Sequence, residues 1–89
     1  MNDQSHATVT VRFFARLREQ LDTDSVAVPI SEPATVADVL KTLADRGSVW
    51  AELCADSRVM IAVNQAMAKT TTPLKPRDEV AFFPPVTGG

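Results

Sequence analysis

The sequence predicts an α+β fold in which a mixed sheet of four to five strands packs on one main helix. Three observations carry this. Segments with apolar residues at every second position stand at both ends of the chain. One strongly amphipathic helical segment lies between them, and turn-forming residues separate the periodic stretches. A chain of 89 residues is one domain, with 45% apolar and 22% charged residues, and this balance is that of an ordinary globular unit with a single core.

The first strand is read over Thr8–Phe14, with Val9, Val11 and Phe13 toward the core and Thr10, Arg12 and Phe14 on the other face. Residues 15–21 form a short helical or turn segment with Leu17 and Leu21 four apart, broken by Asp22-Thr23-Asp24. Ser25–Ile30 is the second strand, paired with the first as a hairpin. Its Pro29, which offers no ladder donor, argues for an edge position.

The main helix is expected over Val36–Arg46. Thr35 is a suitable N-cap, and Asp38 stands three residues on at capping-box spacing. Val36, Val39, Leu40 and Leu43 form one apolar stripe, Arg46 suits the negative end of the helix dipole, and Gly47 suits the C′ position. A further short helix over Val49–Leu53 carries Trp50. Val59–Val63 is a strand, Asn64-Gln65 a hairpin turn and Ala66–Lys69 the return strand. Lys75-Pro76-Arg77-Asp78 is a turn with proline at its second position. Glu79–Phe83 is the last strand, ended by Pro84-Pro85. Trp50, Leu40, Leu43 and Ile61 are assigned to the core. Two opening strands, a crossing helix and returning strands are the layout of a ubiquitin-like β-grasp. The expected organisation is a disordered extension over residues 1–7, a β-grasp domain over 8–83 and a flexible tail over 84–89.

The inventory for self-contained catalysis is small. There is one histidine, His6, in the N-terminal extension, and one cysteine, Cys54. These cannot supply a zinc site, a disulfide or a cysteine-ligated cluster, and no metal is expected. The formal net charge of −2 with mixed signs argues against nucleic acid as a partner. No apolar run approaches the roughly 20 residues of a membrane span, and Met1–Thr8 lacks the apolar stretch of a secretory signal. The expectation is a cytoplasmic protein that binds no membrane.

Function is therefore sought at a surface or a terminus. Pro84-Pro85-Val86-Thr87-Gly88-Gly89 follows the last strand. Extended, six residues reach about 20 Å, and the proline pair stiffens the base of such an arm. Outside the terminal pair, Gly47 is the one other glycine. Gly88 and Gly89 lack side chains, so the arm's end threads a channel too narrow for any Cβ. The carboxylate at its tip is a poor electrophile until activated, and adenylation by ATP makes the Gly89 carbonyl open to attack. A sulfur donor then leaves a thiocarboxylate, a nucleophile carried on a movable arm.

Residues 78–89, Asp-Glu-Val-Ala-Phe-Phe-Pro-Pro-Val-Thr-Gly-Gly, resemble the ending of the small subunit of molybdopterin synthase. The strand Val9–Phe14 followed by Ala15-Arg16-Leu17-Arg18-Glu19 is similar to that family's opening, and Val63-Asn64-Gln65 to its central hairpin. The resemblance spans about Thr8–Gly89. It implies a β-grasp sulfur carrier that binds no cofactor itself. An adenylyltransferase activates Gly89 with ATP, and a sulfur donor protein loads it. The large synthase subunit, in a heterotetramer, receives the tail, and the thiocarboxylate gives its sulfur to cyclic pyranopterin monophosphate in molybdenum cofactor biosynthesis. The activity is that of a sulfurtransferase subunit that is not catalytic alone. Gly89 takes the reactive position, and Gly88, Thr87, Pro85 and Pro84 form the tail. Pro76-Arg77 departs from the family's pattern, in which the turn before the last strand often carries glycine.

Phe14 and Phe83 fall on the outer face if Phe13 and Phe82 face the core, and with Arg18 they are the expected partner interface. Cys54 is read as a small residue packed near Trp50 and Leu53 in preference to a persulfide carrier. A thiamin- or cysteine-type carrier and a ubiquitin-like protein modifier share the diglycine ending. A binding module with an inert tail is the alternative from another class.

Overall fold

The computed structural model describes residues 7–84. Strand β1 (Ala7–Phe13) leads through helix α1 (Arg16–Leu21) into β2 (Ser25–Ile30). A two-residue strand β3 (Ala34–Thr35) precedes helix α2 (Val36–Ala44), which is followed by α3 (Ser48–Ala55), β4 (Met60–Val63), β5 (Ala66–Met67), β6 (Pro73–Leu74) and β7 (Glu79–Phe83). The main sheet has five strands in the order β2-β1-β7-β4-β5. β1 and β7 run parallel, and every other neighbouring pair in this sheet is antiparallel. This is the ubiquitin-like β-grasp, with Pro29 on the edge strand β2.

Alternation sorts the two faces. Val9, Val11, Phe13, Val80 and Phe82 are almost fully buried beneath Val36, Val39 and Leu43 of α2. Each such side chain contributes about 1.5–3 kcal/mol by leaving water. Phe13 lies at the centre, stacked on Phe82 at 5.9 Å and meeting the edge of Trp50 at 5.4 Å. No polar or charged residue is buried among the described residues. Trp50, Leu40 and Ile61, expected in the core, are half-buried at its margin. Trp50 is shielded on its outer side by the Arg46 guanidinium, 5.0 Å from the ring centroid.

Several boundaries differ from expectation. Ala7, assigned to the N-terminal extension, is the first residue of β1 and pairs with Ile30. α2 stops two residues early, at Ala44, and its C-cap Asp45 keeps a right-handed conformation. Gly47 therefore does not close α2. It caps the start of α3 at φ 153°, and its carbonyl accepts from the Ala51 N–H at 2.9 Å. The reason is crowding: α3 starts so soon that one glycine makes the whole change of direction. Strand β5 ends at Met67, before the expected Lys69, because the Thr72 hydroxyl accepts from the Lys69 N–H at 2.9 Å and turns the chain toward β6.

At the N-terminus of α2 the Asp38 carboxylate accepts from the Thr35 N–H at 2.8 Å, as the capping-box spacing predicts. Distant carbonyls serve the next two donors: Val36 N–H gives to Thr72 at 3.1 Å and Ala37 N–H to Thr70 at 2.9 Å.

Two turns hold the sheet in register. Asn64 (φ 50°) and Gln65 (φ 71°) are both left-handed, the conformation of a two-residue type I′ hairpin. The Asn64 side chain donates to Asp78 at 2.9 Å and accepts from the Glu79 N–H at 3.0 Å, tying the hairpin to β7. The second turn, Lys75–Asp78, closes with Asp78 N–H on the Lys75 carbonyl at 3.1 Å. Arg77 stands at φ 73°, the third position of a type II turn, where glycine is preferred. Arg77→Gly is expected to raise stability by about 0.5–1 kcal/mol, relief of left-handed strain outweighing the added freedom of the unfolded chain. A melting temperature that falls in a thermal scan would show that the arginine side chain contributes more than the strain costs.

Candidate functional site

The outer face of the sheet is built from the residues that the same alternation turns away from α2. Ladder registers set them in rows. Arg12, Ala81, Ala62 and Met67 form one row across β1, β7, β4 and β5. Phe83 faces Met60 in the next row, and Phe14 joins through its N–H to the Phe82 carbonyl at 3.2 Å. The Phe14 and Phe83 rings stack at 4.7 Å with planes 7° apart. Alanines form the low middle of the first row and larger side chains its borders. The result is an open hollow of about 360 Å³ lined by Arg12, Phe14, Gln65, Met67, Glu79 and Phe83 around Ala62 and Ala81. Met67 is 68% exposed, and Met60 also reaches solvent. An apolar patch of this kind on a small domain marks an interaction surface.

A strained turn places Phe14. Ala15 adopts φ 56°, ψ −134°, close to the second position of a type II′ turn, where an L side chain is strained. The turn closes with Leu17 N–H on the Phe14 carbonyl at 3.2 Å, and Leu17 is buried beneath it. The buried leucine and the β1 ladder hold the strained residue from both sides and keep the Phe14 ring against Phe83.

Pro84, the last described residue, follows Phe83 directly and so stands beside the stacked pair. Pro85, Thr87, Gly88 and Gly89, the remainder of the predicted tail, lie outside the described residues. Arg18 is not among the residues lining the hollow. It is exposed on α1, beside Glu19, Asp22, Thr23 and Asp24. Arg12 is the cation that lines it, with its guanidinium 5.6 Å from the Phe14 centroid and 3.4 Å from the Glu79 carboxylate. Sequence reasoning missed Arg12, Met60 and Met67. The alternation that placed Phe14 outward also places Arg12 outward, so the signal for that residue was present.

Cys54 is half-buried between α2 and α3, and burial pushes its thiol up from the usual range. A thiol so shifted is protonated at neutral pH and is a poor nucleophile. For the sulfur transfer that the resemblance implies, Cys54→Ala is expected to leave activity within about two-fold of the parent, since a protonated thiol contributes little nucleophile. Loss of activity in a reconstituted assay would place the working sulfur on this cysteine. Among the described residues no group of three or more His, Cys, Asp or Glu side chains could hold a metal ion, and no helix is long and apolar enough to cross a membrane.

Fold and site together define a ubiquitin-like domain with an exposed apolar sheet face at the end of its last strand. The family model that matches residues 11–89 is that of the ThiS family, and the chain belongs to it. It is 42% identical over 81 residues to the molybdopterin synthase sulfur carrier subunit of Escherichia coli, a match covering 91% of this chain and 99% of that one. It is 34% identical over 88 residues to small archaeal modifier protein 3 of Haloferax volcanii, covering 89% and 96%. The solution structure of the Haloferax volcanii HVO 2177 protein superposes with a TM-score of 0.83 at 28% identity, covering 100% of this chain and 92% of that one.

Proposed function

We propose that this chain is the sulfur carrier subunit of a molybdopterin synthase, with the Gly89 carboxylate as its working group. The observation that carries this reading is the position of the Phe14–Phe83 stack at the strand end from which Pro84 leads toward Gly88-Gly89. Domain docking on that face directs the tail into whatever site the partner offers. The 42% identity to a carrier subunit supports the assignment to this pathway.

In this reading an adenylyltransferase uses ATP to join AMP to the Gly89 carboxylate, releasing pyrophosphate. Sulfide-level sulfur from a donor protein attacks the Gly89 carbonyl, displaces AMP and leaves the thiocarboxylate. The large synthase subunit then receives the tail and supplies the catalytic side chains, while this chain brings the nucleophilic sulfur. The carrier binds no cofactor of its own in this scheme, and it acts in the cytoplasm, where ATP is available.

Mass spectrometry of the chain after incubation with its activating enzyme, ATP and a sulfur source tests the chemistry. The expected product is heavier by the replacement of one oxygen with sulfur. The similarity to an archaeal modifier favours a second reading, attachment to lysines. Lysine-linked adducts in place of a thiocarboxylate would decide for it, and an unchanged mass would decide against both.

The docking face has its own test. Phe83→Asp is expected to lower affinity for the large subunit by about 100-fold, because a charge then enters an apolar contact. The melting temperature should change far less than for a core substitution, since Phe83 lies on the outer face. A collapse of stability comparable to loss of Phe82 would return Phe83 to the core.

A further inference from the structure

We propose that Arg12 is a specificity-determining residue of the outer face, and that the protein receiving the tail presents a carboxylate to it, set within apolar surface. This rests on the docking role argued above for Phe14 and Phe83. Among the described residues that line the hollow, Arg12 is the only cation and Glu79 the only anion. Their ion pair is one contact at 3.4 Å with both side chains partly in solvent, 49% and 36% exposed. That is longer than the roughly 2.7–2.9 Å of a strong charge-assisted bond. A guanidinium has five N–H donors, and Glu79 engages a single nitrogen.

Water satisfies the other donors while the face is open. A partner seated on Phe14 and Phe83 removes that water, because Arg12 lies over the Phe14 ring at 5.6 Å and is covered with it. A covered guanidinium with one long contact is costly unless the partner supplies acceptors. A carboxylate matches the guanidinium fork in two parallel bonds. Register fixes where it must stand: at the β1 end of the Arg12–Ala81–Ala62–Met67 row, with the partner's apolar group over the two alanines.

The inference gives two substitutions opposite signs. Arg12→Met keeps an apolar stem and removes the charge. It is expected to weaken binding of the large synthase subunit from the same organism by about 10- to 30-fold at low salt. The deficit should shrink to roughly three-fold in 0.5 M salt, where the attraction is screened. Glu79→Gln removes the internal competitor for Arg12 and should tighten binding by about two- to five-fold.

Titration calorimetry at two ionic strengths reads both variants, with thermal scans to show that each is folded. If Arg12→Met binds like the parent, or if Glu79→Gln weakens binding as Arg12→Met does, Arg12 serves only its internal pair and the inference fails. If the parent chain does not bind the large subunit at all, the docking reading itself fails. Light scattering of the chain alone is expected to give a monomer at all concentrations tested. A dimer that Arg12→Met dissolves would overturn the inference, by assigning Arg12 to Glu79 of a second copy.

Discussion

A chain shortened by the single residue Gly89 is expected to lose at least 100-fold in sulfur delivery while keeping its melting temperature. The truncated chain still ends in a glycine and still carries a carboxylate, so its intrinsic chemistry is unchanged. What changes is reach. Each extended residue spans about 3.3–3.6 Å. A partner site fitted to the full arm then sees its electrophilic carbon withdrawn by that length, and misplacement by about 1 Å can already cost 100-fold. Stability should not follow, because the buried face of the last strand ends with Phe82. The assay is single-turnover adenylation with ATP and the activating enzyme, followed by sulfur transfer. Activity within a few-fold of the parent would show that the partner site does not require the full length of the arm.

Phe82→Ala is the opposite case, with a large expected effect on stability. Phe82 is fully buried, stacks on Phe13 at 5.9 Å, and faces Ile61 on β4 and Phe13 on β1 in the ladder. Truncating it leaves a cavity in the middle of the core and is expected to cost about 3–5 kcal/mol. For a domain of this size that corresponds to a fall in melting temperature of roughly 15–30 °C. Since such domains have only about 5–15 kcal/mol in total, the variant should be partly unfolded near body temperature. A loss below about 1 kcal/mol, measured by urea titration, would mean that the core closes over the gap far better than a β-grasp sheet allows. The neighbouring Phe83→Asp, predicted to spare the fold and harm docking, makes the contrast sharp. Two adjacent phenylalanines have opposite fates because the strand side-chain period is two.

Much of the fold was legible for that same local reason. Val9, Val11 and Phe13 declared the inner face of β1, and Val80 and Phe82 that of β7. The capping residues Thr35 and Asp38 marked the start of α2. Phe14 and Phe83 were assigned outward and lie side by side there. Errors collected where one local signal competed with another. Gly47 fits equally well after one helix or before the next, and Lys69 extends an apparently regular strand until Thr72 is seen to bend it away. The β3–β6 pair escaped notice because two-residue strands have no periodicity to read, yet Ala34 and Leu74 are both buried there.

The sequence by itself determined the alternation of faces, the helix start, the turn residues and the diglycine ending on its Pro-Pro arm. These depend on neighbours within a few positions, whose spacing is set by backbone geometry. Only the tertiary structure decided which of the outward residues come together. Arg12, and not Arg18, lines the hollow because parallel pairing brings β1 beside β7, joining residues about seventy positions apart. The strain at Ala15 and Arg77 is likewise held by distant groups, Phe82 for the one turn and Thr8 for the other. Contacts between remote segments have no period along the chain, so no local pattern encodes them, and the hollow that Arg12 lines is assembled only when the sheet closes.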